Sequence, residues 1–372
     1  MNKLKFLSII IFFSLISHIF LFSQLTDKWD IIDSKNALNN YALGTNPTLR
    51  NAALLDSNHY VAMGSFNTWE GEYIPNTTLY LYHFYRDIVI SKDGGKNWQQ
   101  IYLEELNCWT SQGVGNEDLN RSIAYPSLNT IIVVGDSSER LTSDLYDEKF
   151  RTYAKMLLTK DGGKNWEKII LDSNTQGKDI CMLDDQRGIW VISSVGNDFN
   201  LFPVYFSLLY TEDCWKTYIK IYESPRTGTF FDEPLSFPNQ KKIAFLESPD
   251  TLVLSEDLGK NWNKISVPGY KLSKIQFIDE NIGFVLAHET SLGGSKYEKI
   301  IKTTDGGYHW DVFYDGSADI TPVTVNDIYI YDENNYLIQT SSFSNKAIYK
   351  RTTDGGKTWD FGYYGLGPAT ST

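Results

Sequence analysis

Short apolar runs rich in β-branched and aromatic residues recur along the chain, each broken by a turn rich in Asp, Asn or Gly. No stretch shows the 3.6-residue spacing of an amphipathic helix. Paired runs flank polar turns at residues 52–64, around Asp56-Ser57-Asn58, at 180–193, around Asp184-Asp185-Gln186, at 275–287, around Asp279-Glu280-Asn281, and at 328–340, around Asp332-Glu333-Asn334. A third run follows at 87–90, 155–158, 207–209, 298–301 and 346–349, and a fourth at 99–103 and 167–171. Such runs bounded by turn residues predict β-strands, four to a unit.

A short phrase joins the third and fourth runs. It reads Ser/Thr, any residue, Asp, two residues that are usually Gly-Gly, two more, then an aromatic, and it occurs at 91–98, 159–166, 211–218, 255–262, 303–310 and 352–359. Its aspartates, Asp93, Asp161, Asp213, Asp257, Asp305 and Asp354, lie 68, 52, 44, 48 and 49 residues apart. A period of roughly 40–50 residues marks a propeller or solenoid. Four strands per unit and six units predict an all-β, six-bladed β-propeller of antiparallel blades around a central channel. Seven blades are disfavoured, because the 68-residue gap is too short to hide a blade without the phrase.

The phrase itself reads as a tight hairpin turn. Asp accepts from nearby backbone N–H groups, the Ser/Thr hydroxyl closes the same network, and Gly supplies positive φ without steric cost. In the third copy Trp215 stands at a Gly position and Tyr218 replaces Trp, so that turn is expected to be distorted. Spatially each aspartate belongs to its own hairpin, which favours a structural role over catalysis or calcium binding.

The first 24 residues carry a targeting signature: basic Lys3 and Lys5, an apolar core at 6–22, and Leu21-Phe22-Ser23 before Gln24 as a cleavage site. Residues 1–24 are therefore expected to be a signal peptide and 25–372 a single propeller domain, secreted or held in the periplasm or cell envelope, with no stable membrane insertion after cleavage. The stretch 27–32, with Trp29, is expected to close the ring as an outer strand, since an open propeller exposes a sheet edge.

Removal of Lys3 and Lys5 takes the formal charge from −12 to −14. That balance argues against nucleic acid and anionic membrane surfaces, both of which need basic patches. The odd set Cys108, Cys181 and Cys214 allows at most one internal bridge. His59, His83, His288 and His309 are scattered without metal-ligand spacing, and neither G-x-S-x-G nor a phosphate loop nor a dinucleotide fingerprint is present. No metal or cofactor is expected.

The six phrases resemble the Asp-box, or bacterial neuraminidase repeat, S/T-x-D-x-G-x-x-W. Resemblance to sialidases would imply three arginines gripping a substrate carboxylate, with a Tyr–Glu nucleophile pair and an Asp acid/base. Arg50, in Leu49-Arg50-Asn51-Ala52, matches the first arginine, but Asn51 and Ala52 replace the Ile and Pro that follow it in the family. After Arg187 the chain offers only Arg226 and Arg351, and Arg351 directly precedes a box. The blades are also similar to those of photosystem II stability and assembly factor-like propellers. That likeness rests on Ile275-Gln276-Phe277-Ile278-Asp279 with Gly283-Phe284-Val285 and on the boxes at 302–310 and 350–359, and it implies a binding scaffold.

In a four-stranded blade the box turn and the first hairpin turn lie on one face, and the other loops on the opposite face. The long segments 67–84, 106–121, 137–153, 196–205 and 223–235 belong there, with aromatics and acids interleaved. Candidate binding residues are Arg50, Trp69, Trp109, Tyr146, Arg226, Phe230 and Asp232. Aromatic platforms beside carboxylates suit a sugar, a peptide or a cationic group. Two readings follow: an exported non-catalytic propeller that binds a protein or glycan, or a sialidase-like glycoside hydrolase with a degenerate site, using acids such as Glu72 and Asp232 or Glu233.

Overall fold

The β-branched and aromatic runs form strands, because their side chains fit a pleated, half-buried surface. The structure, a computed structural model, describes residues 8–11, 20–23, 45–56, 58–73, 80–110, 120–140, 150–195, 203–225, 234–239, 241–289, 298–315, 323–330, 332–342 and 347–363. The fold is a six-bladed β-propeller: six four-stranded antiparallel sheets, each pairing its strands in chain order. No helix occurs among the described residues, and none there is long and apolar enough to cross a membrane.

Blade 1 comprises Thr45–Leu54, Tyr60–Tyr73, Tyr80–Ser91 and Gln99–Thr110. Blade 2 comprises Asn120–Ala124, Ile131–Arg140, Phe150–Thr159 and Glu167–Ser173, and blade 3 comprises Thr175–Met182, Gly188–Val195, Pro203–Thr211 and Ile219–Glu223. Blade 4 comprises Leu235–Ser236, Ile243–Ser248, Thr251–Ser255 and Asn263–Ser266. Blade 5 comprises Tyr270–Phe277, Gly283–Glu289, Glu298–Thr303 and Asp311–Asp315, and blade 6 comprises Val323–Ile330, Tyr336–Ser342, Ala347–Thr352 and Asp360–Tyr363.

Strand and loop boundaries differ from the expectation in blades 1 and 4. Blade 1 begins at Thr45, and much of 67–84 and 106–121, expected as loop, is strand: Tyr82 pairs with Cys108 and Leu81 with Trp109. The run Tyr80-Leu81-Tyr82-His83-Phe84-Tyr85 is rich enough in aromatics to carry the ladder past the core. In blade 4 the first strand is only Leu235–Ser236. Pro234 and Pro238 bracket it and donate no backbone N–H. Near the start of the chain, Ser8–Ile11 pairs antiparallel with Phe20–Ser23, while the expected closing stretch 27–32 lies outside the described residues.

The chain divides into two compact units, Met1–Arg226 with blades 1–3 and Thr227–Thr372 with blades 4–6. In the first, Val61, Met63 and Ile88 of blade 1 pack on Ile131, Val133 and Leu157 of blade 2. The other face of blade 2, with Val134, Met156 and Leu158, packs on Ile180, Trp190 and Leu209 of blade 3. In the second unit, Phe284, Leu286 and Ile300 of blade 5 meet Ile328, Tyr336 and Ile338 of blade 6. Each such side chain contributes roughly 1.5–3 kcal/mol through burial. The Lys302 ammonium sits 5.2 Å from the Phe284 ring centroid and 5.5 Å from that of Phe313, a cation–π contact inside this cluster.

The third repeat overturns the expected distortion. Cys214 (φ 55°) and Trp215 (φ 63°) adopt the left-handed conformation that glycines, and Leu258 in the fourth copy, take elsewhere. For side chains with a Cβ this costs about 1–2 kcal/mol per residue. The Trp215 ring offsets the cost, for it is 4% exposed and packs edge-on against Trp190 at 6.0 Å. Tyr218, at the usual aromatic position, is 45% exposed. The tryptophan of this turn stands three positions earlier than in the other copies, and its ring is buried. Trp215→Ala is expected to lower unfolding free energy by about 3–5 kcal/mol, against at most about 0.5 kcal/mol for Tyr218→Ala. Urea denaturation of the two variants compares them, and equal losses would contradict this placement.

Candidate functional site

Each repeat aspartate is held by one set of bonds. The Ser/Thr hydroxyl donates to Asp Oδ1 at 2.7–3.0 Å in all six copies. That hydroxyl in turn accepts from the second amide after the aspartate, from Gly259 at 2.7 Å to Trp215 at 3.0 Å. The amide four residues beyond the aspartate donates to Oδ1, and that residue's side chain meets Oδ2: Asn97, Asn165, Thr217, Asn261, His309 and Thr358. Sequence reading missed this fourth position, although Asn, Thr or His stands there in every copy. One further bond reaches out of the turn. The amide directly after each aspartate (Gly94, Gly162, Cys214, Leu258, Gly306, Gly355) donates to a carbonyl of the same blade's first hairpin turn, at Asn58, Asn129, Gln186, Lys241, Asn281 and Asn334, over 2.8–3.0 Å. The two turns therefore lie together at one end of each blade, as the sequence predicted.

These bonds favour the ionised carboxylate. Asp161 is held at about 2, chiefly by the Asn165 backbone amide, then by the Asn165 and Thr159 side chains. Asp305 and Asp354 are likewise held well below the usual carboxylate range, by His309 and Thr358 respectively. Their oxygens are occupied inside the turns.

The candidate binding residues fall in three groups. Trp69 lies on the second strand of blade 1 and Trp109 on the fourth, with the third strand between them. Tyr146, Arg226, Phe230 and Asp232 lie outside the described residues, as does Glu233, while Glu72 pairs with Leu81 on blade 1. Arg50 stands where the first strand of blade 1 slips register against the second, since Leu49 pairs with Gly64 and Asn51 with Met63. Of the later arginines weighed against the sialidase pattern, Arg351 is on the third strand of blade 6, and the preceding one, Arg187, pairs with Asp184 in the first hairpin turn of blade 3.

The slip at Arg50 recurs. Arg121 of blade 2, Lys178 of blade 3, Ser273 of blade 5 and Asn326 of blade 6 are skipped at the same place in their first strands. Such β-bulges re-aim side chains and gather near functional sites. In the first unit they are chained by hydrogen bonds between blades. Asn51 Nδ2 donates to the Arg121 carbonyl at 3.1 Å, and Ser122 Oγ donates to Asp179 Oδ1 at 2.8 Å. The residue after the bulge also caps the next amide, Ala52 to Asn51 Oδ1 at 2.7 Å and Ile180 to Asp179 Oδ1 at 2.8 Å. Blades 2 and 3 touch backbone to backbone here, and a Cβ on Gly177 would lie 2.5 Å from the Gly135 carbonyl oxygen. The signal in the sequence was a cation, a short polar residue and an apolar one: Arg50-Asn51-Ala52, Arg121-Ser122-Ile123, Lys178-Asp179-Ile180.

These bulges give the first unit three cations on adjacent first strands of a chain whose formal net charge is −12; the corresponding residues of the second unit are Ser273 and Asn326. Arg121 donates from Nε at 3.0 Å and Nη2 at 2.8 Å to Asp136 Oδ2. Lys178 Nζ donates to Gln176 Oε1 at 2.7 Å. Burial pushes the Asp136 carboxyl up despite the nearby charges of Arg121 and Lys178. Among the described residues no group of three or more His, Cys, Asp or Glu is placed to hold a metal, and Cys214 is a buried free thiol.

No protein-family model and no curated protein matches the sequence. Among solved structures, the chain is similar to YCF48 bound to D1 peptide at 14% identity and a TM-score of 0.51, covering 86% of this chain and 82% of that one. The likeness shows a shared fold. YCF48 from Cyanidioschyzon merolae matches at 13% identity over 84% of this chain and 97% of its own, with a TM-score of 0.45. Trypanosoma rangeli sialidase in complex with the inhibitor DANA matches at 11% identity and a TM-score of 0.44, over 83% of this chain and 55% of its own. These two add nothing to the fold assignment.

The turn carboxylates set an acid limit on stability. The folded value of Asp161, about 2, lies below its ordinary 3.8, so its contribution is full above the ordinary value and is lost as pH falls through the folded one. Melting temperature is expected to change little through Asp161 from pH 7 to 5 and to drop between about pH 4 and 2, with a shallower drop in Asp161→Asn. An equally steep drop in the variant would contradict this assignment.

Proposed function

We propose that the chain is an exported, non-catalytic Asp-box propeller that binds a protein or glycan partner, with the bulged first strands of blades 1–3 as its contact. The carrying observation is the hydrogen-bonded row of bulges at Arg50, Arg121 and Lys178. Arginines held on rigid strands suit a partner that presents carboxylates, because guanidinium groups form the stronger, charge-assisted bonds to them; Lys178, only 4% exposed, adds positive charge from within. Residues on strands are placed more firmly than residues on loops. The likeness to YCF48 bound to D1 peptide supports a peptide as the kind of partner this fold accommodates. Trp69, Trp109, Tyr146 and Phe230, with Arg226 and Asp232, remain the aromatic and polar contact residues that the sequence proposes. The leader at 1–24 supports export to the cell envelope or beyond.

The test is titration of the full chain with hexa-aspartate and hexalysine peptides at low ionic strength. Hexa-aspartate is expected to bind and hexalysine not to, despite the acidic net charge. The double variant Arg121→Ala, Lys178→Met is expected to weaken hexa-aspartate at least about tenfold, the loss of one charged hydrogen bond or more. Preference for hexalysine, or an unchanged affinity in the double variant, would contradict the proposal.

A further inference from the structure

The Arg121–Asp136 pair is lopsided. Arginine and carboxylate usually meet through two parallel bonds to two oxygens, but here both donors go to Oδ2. Oδ1 is buried and takes no hydrogen bond among the described residues. Exposure is lopsided too: the Asp136 side chain is 4% exposed and that of Arg121 30%. Asp136 thus occupies the inner side of a guanidinium whose outer side faces solvent at the bulge row.

Resting on the anion-binding reading of that row, we propose that Asp136 is a built-in competitor for the ligand: it holds Arg121 in the free protein and is displaced, taking up one proton, when a carboxylate binds. The exchange balances. Two N–H donors move from Asp136 Oδ2 to the incoming carboxylate, and solvent supplies the proton that leaves Asp136 neutral. A buried carboxylate deprived of its cation would otherwise stand as an uncompensated charge.

The surroundings favour a neutral Asp136 once Arg121 turns away. Burial is the largest influence on the carboxyl and pushes it up, against Arg121, Lys178 and the Gly177 backbone amide. Charged neighbours come from two directions: Arg121 on the first strand of its own blade, and Lys178 with Asp179 on the first strand of blade 3. Asp179 is engaged by Ser122, and Lys178 by Gln176. On the third strand, Asp136 pairs with Ala154. The charged residue beside it, Lys155, is bonded to Glu104 of blade 1. Thr152, two residues before Ala154 on that strand, has a buried hydroxyl without a hydrogen-bond partner among the described residues. It is an acceptor on the same sheet face for a protonated Asp136.

The experiment is calorimetric titration of hexa-aspartate into the full chain at pH 6.5 and 7.5, in two buffers of different ionisation enthalpy, repeated on Asp136→Asn and Arg121→Ala. The wild-type chain is expected to take up close to one proton per peptide, so affinity rises as pH falls, by up to about tenfold per unit. Asp136→Asn is expected to take up none, to lose the pH dependence and to bind about tenfold tighter at pH 7.5; its melting curve checks that it folds. Binding that Arg121→Ala abolishes, but that proceeds without proton uptake and is unchanged in Asp136→Asn, would overturn the competitor and leave the binding site standing. Absence of binding in both the wild-type chain and Asp136→Asn would overturn the two together. Proton uptake in the wild-type chain is measured without any variant, so a misfolded Asp136→Asn does not remove the test.

Discussion

One backbone hydrogen bond organises every blade: the amide after each turn aspartate donates to a carbonyl of the first hairpin. It ties the turn between strands three and four to the turn between strands one and two. All six copies keep it, including those where Cys214 and Leu258 replace glycine. The aspartate makes this possible by gathering the amide four residues on and the Ser/Thr hydroxyl, so the turn is rigid before it meets its neighbour. A carboxylate satisfied in this way is structural, and chemistry has to be sought elsewhere in the blade.

That division explains how much was legible in the sequence. Blade number, strand order and the pairing of the two turns followed from six phrases and four runs per unit, because each depends on local chemistry. The third turn was misjudged because its glycine rule is local while its compensation is tertiary: Trp215 tolerates a left-handed backbone since Trp190 receives its ring. The extra strand length in blade 1 was hidden for a related reason. Aromatic residues at 80–85 read equally well as loop platforms and as strand, and only their pairing with the run ending at Trp109 decides.

The binding row was the least legible part. A bulge is a property of two strands in register, and one strand's sequence does not show which residue is skipped. Arg50 was singled out through a family motif, whereas Arg121 and Lys178 emerge from five register slips at matching positions. Those slips also separate the two units by chemistry. Blades 1–3 place cations at their bulges and link them by Asn51 and Ser122, while blades 5 and 6 place Ser273 and Asn326 there. In the second unit the lysine next to a bulge, Lys274, stacks on Tyr329 at 4.7 Å. A shared scaffold thus carries a charged row in one half and a packed one in the other.

The most direct measurement is amide hydrogen exchange on the full chain with and without hexa-aspartate. Ligand-dependent protection confined to peptides covering 49–51, 120–122 and 177–179 is the predicted result. Protection centred on the six aspartate turns, with those three segments unchanged, would contradict the account.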